Sequence, residues 1–250
     1  LGCYPGEDPQ FLGMLGMHGT YEANHAMHDC DLMINIGARF DDRITGMVSK
    51  FSPGSKKIHI DIDPSSINKV VKVDVAVVGD AQSVMSSMIE IIKKKYPGFK
   101  SSNKEKISDW WKQIDVWREK KSLSFKQGKN AILPQHAVHR LYELTKDQDT
   151  FISTEVGQHQ MWAAQHYKFS KPNRWMTSGG LGTMGYGLPA AIGIQIAHPK
   201  KLVIDIAGEA SILMNMQELS TAVQYRLPIK IFILNNEYMG MVRQWQELLH

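Results

Sequence analysis

Two kinds of stretch alternate along the chain. Short, nearly continuous apolar runs at 31–36, 57–62, 150–153, 202–206 and 229–234 have the length and composition of buried strands. Between them, residues 81–96, 135–144, 184–197 and 216–225 bring apolar side chains back every three or four positions, the helical period. Strands alternating with helices predict parallel α/β units rather than a β-sandwich or a helical bundle. Pro134 stands where a helix would begin, at the position whose missing N–H is of no consequence. The expected architecture is α/β, with two doubly wound parallel-sheet domains.

The segment 97–130 differs from both flanks. It is rich in Lys, Ser and Gln and carries one amphipathic stretch around Trp110, Trp111 and Trp117. This predicts a first domain over 1–96, a linker with a packed helix over 97–130 and a second domain over 131–250. No repeat of solenoid period is present. Leu1 opens directly into a Gly/Pro-containing stretch, and the apolar pattern of 241–249 carries no stop signal before His250. The chain is therefore expected to be a piece of a longer protein.

Composition narrows the function classes. Lys and Arg number 29 against 25 for Asp and Glu, and no basic block is interleaved with aromatics, so nucleic acid is not an expected partner. Cys3 and Cys30 have no paired spacing and no Cys/His cluster, which argues against a disulfide framework or a zinc site and favours a reducing cytoplasm. No apolar run approaches the ~18 residues of a membrane span.

The strongest chemical signal is in the second domain. The run 202–206 leads into Gly208, Glu209, Ala210 and Ser211, and the run 229–234 ends in Asn235 and Asn236. Ligands of parallel sheets bind at the carboxyl ends of the strands, where these residues fall. A carboxylate and an amide oxygen at neighbouring strand ends are hard ligands suited to Mg²⁺, which keeps the rest of its shell for water and phosphate oxygens. A Mg²⁺-bridged diphosphate follows as the expected ligand, with Glu209 and Asn236 on the metal. Gly157, Gln158 and His159 stand where a strand enters a helix, so backbone N–H groups there are available to phosphate. The loop 178–187, with Gly182 and Met184, is glycine-dense, which lets backbone approach a ligand closely.

In this order the segments resemble the acetolactate synthases, a family of thiamine-diphosphate-dependent enzymes. The resemblance covers nearly all 250 residues. Family members carry aspartate where this chain has Glu209, so the loop must absorb one methylene. The resemblance implies a thiamine diphosphate site formed by Gly157, Gln158, His159, Gly182, Met184, Gly208, Ala210, Ser211, Tyr238, Gly240 and Met241. Met184 would support the bent cofactor, although core filling is the commoner use of a methionine. Trp245 would narrow the pocket for the second ketoacid; a tryptophan at that spacing equally fits an aromatic anchoring a helix.

In the first domain, Gly37, Ala38, Arg39, Phe40, Asp41, Asp42 and Arg43 resemble the flavin loop of the same family. The resemblance adds FAD, held by His18, Gly19, Thr20, Gly37, Arg39, Asp42, Arg43, Asp61, Asp63 and Asp80. Taken alone, these charges would be surface ion pairs of little energetic worth. Arg39 would also meet the carboxylate of the second ketoacid, which a guanidinium can grip with two hydrogen bonds. The implied activity is decarboxylation of pyruvate and transfer of the hydroxyethyl unit to a second 2-ketoacid, in branched-chain amino-acid synthesis. Met184, Trp245 and Arg39 are the residues implied in catalysis or specificity. A homodimer or homotetramer with its active site at the subunit interface is implied, with a small regulatory subunit. Nothing matches the family's pyrimidine-binding domain, so the segment alone is expected to be inactive. A sibling such as glyoxylate carboligase or pyruvate oxidase, and a catalytically dead cofactor-binding module, are the competing readings.

Overall fold

The computed structural model describes residues 1–99 and 103–249. Its chain contacts divide it into two compact units, Met14–Leu123 and a second formed by Leu1–Gly13 with Ser124–His250.

The unit Met14–Leu123 is built on a three-stranded parallel sheet, β1 (Leu32–Ile36), β2 (Lys56–Asp61) and β3 (Val75–Val78), in the order β1-β2-β3. Helix α1 (Tyr21–Asp29) precedes it, the short α2 (Asp42–Thr45) follows β1, and α3 (Ala81–Lys95) follows β3. Helix α4 (Lys104–Arg118) packs on α1 and supplies the amphipathic segment of the three tryptophans. Residues 100–102 of the 97–130 segment lie outside the described residues. The run 31–36, expected to be buried, is covered on one face only: Leu32, Ile34 and Ile36 are exposed while Met33 and Asn35 are half-buried. Alternation of this kind follows from the strand's two-residue period once only one face has a partner layer. The core of this unit gathers Phe40, Phe51 and Val71.

The other unit is a three-layer sandwich on a four-stranded parallel sheet, β4 (Thr150–Thr154), β5 (Trp175–Thr177), β6 (Leu202–Ala207) and β7 (Lys230–Ile233), in the order β5-β4-β6-β7. Side-chain alternation sorts the two faces. Ile152, Ile204 and Ile206 pack with Val138, Tyr142 and Ala163 of α5 (Pro134–Thr145) and α6 (Gln158–His166). Phe151 and Val203 pack the opposite way, on Ala191 of α7 (Gly187–Ala197). Pro134 is the first residue of α5, as its spacing predicts. The predicted helix 216–225 forms as the end of a 3₁₀ segment, Leu213–Glu218, followed by α9 (Leu219–Gln224); the short α8 (Glu209–Ile212) precedes them, and Asn215, with a φ of −133°, is non-helical within the 3₁₀ segment. Helix α10 (Gly240–Leu249) ends the described chain. No helix among the described residues is long and apolar enough to cross a membrane.

Candidate cofactor site

Strands β4, β6 and β7 are parallel, so their carboxyl ends open on one edge of the sheet. A cleft with about 430 Å³ of empty volume lies there. Gly157, Gln158 and His159 line it from the β4 end, Gly208, Glu209, Ala210 and Ser211 from the β6 end, and Asn236, Tyr238, Gly240 and Met241 from beyond β7. Met184 completes the wall. Twelve residues expected at the thiamine diphosphate and metal sites thus converge from four separate segments. Gly182 and Trp245 do not line the cleft; Gly182 lies in the exposed part of its loop, and Trp245 is half-buried on α10.

The backbone approaches this space closely. A Cβ at Gly208 would lie 2.8 Å from His159 Nδ1, and one at Gly157 would lie 2.7 Å from His159 Cε1. The imidazole is thus held between the two turns. Burial pushes His159 down to about 4, so it is neutral at physiological pH, with Nε2 3.4 Å from the Ser211 hydroxyl. That hydroxyl also accepts the Gly208 N–H at 3.2 Å, which closes the turn carrying Glu209. Beyond β7, the side-chain oxygens of Asn235 and Asn236 accept the N–H groups of Glu237 and Tyr238, at 2.9 and 3.2 Å. Gln158 donates to Gln244 at 2.8 Å and so ties the start of α6 to α10. A side chain at Gly240 would overlap Gln158 Oε1, so glycine is required for that tie.

Beneath the cleft, sequence reasoning missed a buried polar cluster. Glu155, Ser153 and Asp205 are fully buried, and the Ser153 hydroxyl donates to Asp205 at 3.0 Å. Burial, and then the Glu155 carboxylate, push Asp205 up to about 7. Burial raises Glu155 as well, against the pull of the backbone N–H groups aimed at it. An acid in the middle of the apolar run 202–206 was the available signal. Val156, Trp162, Leu234, Met239 and Val242 also line the cleft, and no motif in the sequence marks them for it.

The proposed flavin residues all belong to the unit Met14–Leu123. Two of their segments lie against one another: the Met17 N–H donates to the Arg43 carbonyl at 2.8 Å, and Asn24 clamps Gly16 by hydrogen bonds of 2.6 and 3.0 Å. His18 is half-buried, and burial followed by the charge of Arg43 lowers its pKa. Gly19 packs its bare Cα against Met14 and Leu15, and Thr20 caps α1 by accepting the Ala23 N–H at 3.1 Å. Gly37 turns the chain at φ +58° after β1, leading to exposed Arg39, Asp42 and Arg43. Asp61 ends β2, 3.5 Å from the buried His59. Asp63 and Asp80 accept the N–H groups of Ser65 and Ser83, both at 2.9 Å, so each carboxylate also closes a local turn.

No group of three or more His, Cys, Asp or Glu side chains that could hold a metal is present among the described residues. Glu209 and Asn236 alone suit an ion that takes most of its oxygens from elsewhere, which is the habit of Mg²⁺ beside phosphates. The cleft at the carboxyl edge, the close glycine turns and two hard oxygen ligands together fit a diphosphate cofactor.

Comparison with known proteins agrees. Residues 155–250 match the thiamine pyrophosphate enzyme C-terminal TPP-binding domain, and residues 1–88 match the thiamine pyrophosphate enzyme central domain. Over its whole length the chain is 50% identical to the acetolactate synthase large subunit of Haemophilus influenzae. It is 48% identical to the acetolactate synthase isozyme 3 large subunit of Escherichia coli. The chain spans 43% of the length of each of these relatives. The chain belongs to the thiamine pyrophosphate enzymes, and both of these relatives are acetolactate synthase large subunits.

Proposed function

We propose that the protein is the catalytic subunit of an acetolactate synthase, which decarboxylates pyruvate and joins the two-carbon unit to pyruvate or 2-ketobutyrate in valine, leucine and isoleucine synthesis. The observation that carries this reading is the identity of about half of all positions, along the entire chain, to proteins of that name. Thiamine diphosphate supplies, when bound, the electron sink that decarboxylation needs. Glu209 and Asn236 hold Mg²⁺, and the first N–H groups of α6 face the diphosphate. Gly157, Gly208 and Gly240 leave the backbone room to approach it. Met184 would support the cofactor, and Val156, Leu234 and Val242, which line the same cleft, would help keep water out of it. Trp245 and Arg39 select the second ketoacid. FAD is held by the paired loops around His18–Thr20 and Gly37–Arg43 with the strand-end acids Asp61, Asp63 and Asp80. A homodimer or homotetramer with a small regulatory subunit, in the cytoplasm, completes the reading; the free cysteines Cys3 and Cys30 are consistent with a reducing compartment.

The test is thermal unfolding of the full-length protein with and without Mg²⁺ and thiamine diphosphate. A ligand bound only to the folded state raises stability by RT ln(1 + [L]/Kd), about 2.7 kcal/mol at a hundredfold excess over Kd. Glu209→Gln should remove most of the Mg²⁺-dependent part. If the variant keeps the whole gain, the metal is held elsewhere. Product analysis with pyruvate then separates acetolactate formation from acetyl transfer or oxidation by a sibling enzyme, and from no turnover.

A further inference from the structure

Met184 enters the cleft from a loop that has no regular secondary structure, yet the residues on either side of it are fixed. On its amino side the Thr183 N–H donates to the Ser178 hydroxyl at 2.9 Å. On its carboxyl side Gly185, at φ +90°, is held twice: its N–H donates to Glu155 Oε2 at 2.6 Å, and its carbonyl accepts the Asn215 amide, also at 2.6 Å. The other oxygen of Glu155 accepts the Leu188 N–H at 3.2 Å, at the start of α7. One fully buried carboxyl group at the end of β4 therefore gathers the backbone of the whole turn that follows Met184. No cation pairs with it among the described residues; its partners are backbone N–H groups, which favour the ionised form.

The geometry points to Glu155 as a positioning residue: by tying the Gly185–Leu188 backbone to the end of β4, it sets the height of Met184 in the cofactor cleft. It touches neither the cleft nor its ligand, since it is absent from the lining. Its neighbour Asp205 has a different part. Asp205 Oδ1 takes the Ser153 hydroxyl and packs against the bare Cα of Gly187, and it binds no N–H of the Met184 turn. Replacing the Asp205 carboxyl by an amide should leave the turn in place. Replacing that of Glu155 should not, because a glutamine cannot accept from both Gly185 and Leu188: its Nε2 would meet one of the two N–H groups head-on.

This inference rests on the cofactor reading above. The experiment measures the Kd for thiamine diphosphate at saturating Mg²⁺, by quenching of intrinsic fluorescence, in full-length wild type, Glu155→Gln and Asp205→Asn. Turnover at saturating cofactor is measured beside it. Glu155→Gln should weaken cofactor binding roughly tenfold to hundredfold, the range expected when a hydrogen bond to a charged group is lost. Asp205→Asn should stay within about threefold of wild type, the spread of a conservative change that breaks no bond to the turn. A generic loss of core order predicts equal weakening in both variants, and that result overturns the proposal. Unchanged binding in Glu155→Gln overturns it too. If Glu155→Gln fails to fold, Asn215→Ala takes its place, since it releases Gly185 from the other side; unchanged affinity there counts against the proposal. A wild-type protein that does not bind thiamine diphosphate overturns the cofactor reading itself, which is a separate result.

Discussion

Asp205 and His159 are buried ionisable groups whose proton equilibria run in opposite directions. An unfolded aspartate releases its proton near pH 3.9, whereas folded Asp205 holds it to about 7. Between those values the native state binds the extra proton, so this group's contribution to stability falls as pH rises and is flat above about 7. Unfolded histidine takes up a proton below about 6.5, but folded His159 resists until about 4. Its contribution is therefore lost as pH falls through that window. Across pH 4 to 6.5 the two slopes largely cancel. Asp205→Asn removes one of them while keeping an acceptor for Ser153. The variant should gain on wild type by on the order of 1–3 kcal/mol as pH rises from 5 to 8, because each tenfold difference in proton affinity between the folded and unfolded states is worth about 1.4 kcal/mol. Thermal midpoints at both pH values give the comparison; a wild-type-to-variant gap that does not change with pH would mean Asp205 is charged throughout.

At the scale of elements, what the sequence made legible was set by whether local pattern or tertiary contact decides the conformation. β4 and β6 are central, β7 lies at the edge, and the apolar runs of all three announced them. β5 is three residues long and exists because Ile152–Thr154 of β4 offers it a parallel partner, so no local run marks it. The helix expected over 184–197 begins only at Gly187, because Gly185 takes a left-handed φ to reach Glu155 and Asn215. That same Asn215 leaves helical geometry to make the contact just before the helix expected over 216–225, whose first turn is 3₁₀ and which is α-helical only from Leu219. The cleft residues were legible where glycine or a strand-end acid marked them. Glu155 stands two positions before Gly157, yet nothing local assigns it a part, because its bonds come from 30 residues away. Gly187 tests this arrangement. A Cβ there would overlap Asp205 Oδ1 and come within 2.6 Å of the Glu155 backbone nitrogen. Gly187→Ala should destabilise the fold by about 1–3 kcal/mol, the usual range for overpacking, in chemical denaturation. A neutral substitution would mean that α7 can slide off the sheet freely. Trp245 belongs to the same scale: it is half-buried on α10, whose Met241 and Val242 line the cleft. Trp245→Leu should alter the preference between pyruvate and 2-ketobutyrate, by a factor within the ~10–200-fold set by one methylene. An unchanged ratio with a lowered thermal midpoint would make it a packing residue only.

For the whole molecule, the division into two units puts the proposed flavin residues in one and the thiamine diphosphate cleft in the other. The unit Met14–Leu123 has the smaller sheet of the two. Its sheet has three strands among the described residues, and its candidate ligands are spread over the loop 16–20, the turn at Gly37–Arg39, the start of α2, the end of β2 and the turns after β2 and β3. A ligand bridging its loops should stabilise the folded unit, because a ligand bound only to the folded state adds to its stability. The loops depend on each other at Gly16, whose φ is +88° and where a Cβ would lie 2.5 Å from the Arg43 carbonyl oxygen. Gly16→Ala forces the Gly13–Thr20 and Gly37–Arg43 segments apart and leaves residues 155–250 untouched. Full-length wild type should purify yellow, and the variant should lose most of its flavin absorbance while keeping the rise in thermal midpoint given by Mg²⁺ and thiamine diphosphate. Loss of both responses would mean a general failure to fold. A variant that keeps its full complement of flavin would place the isoalloxazine-bearing ligand away from these two loops, and a colourless wild type with full turnover would remove FAD from the proposal.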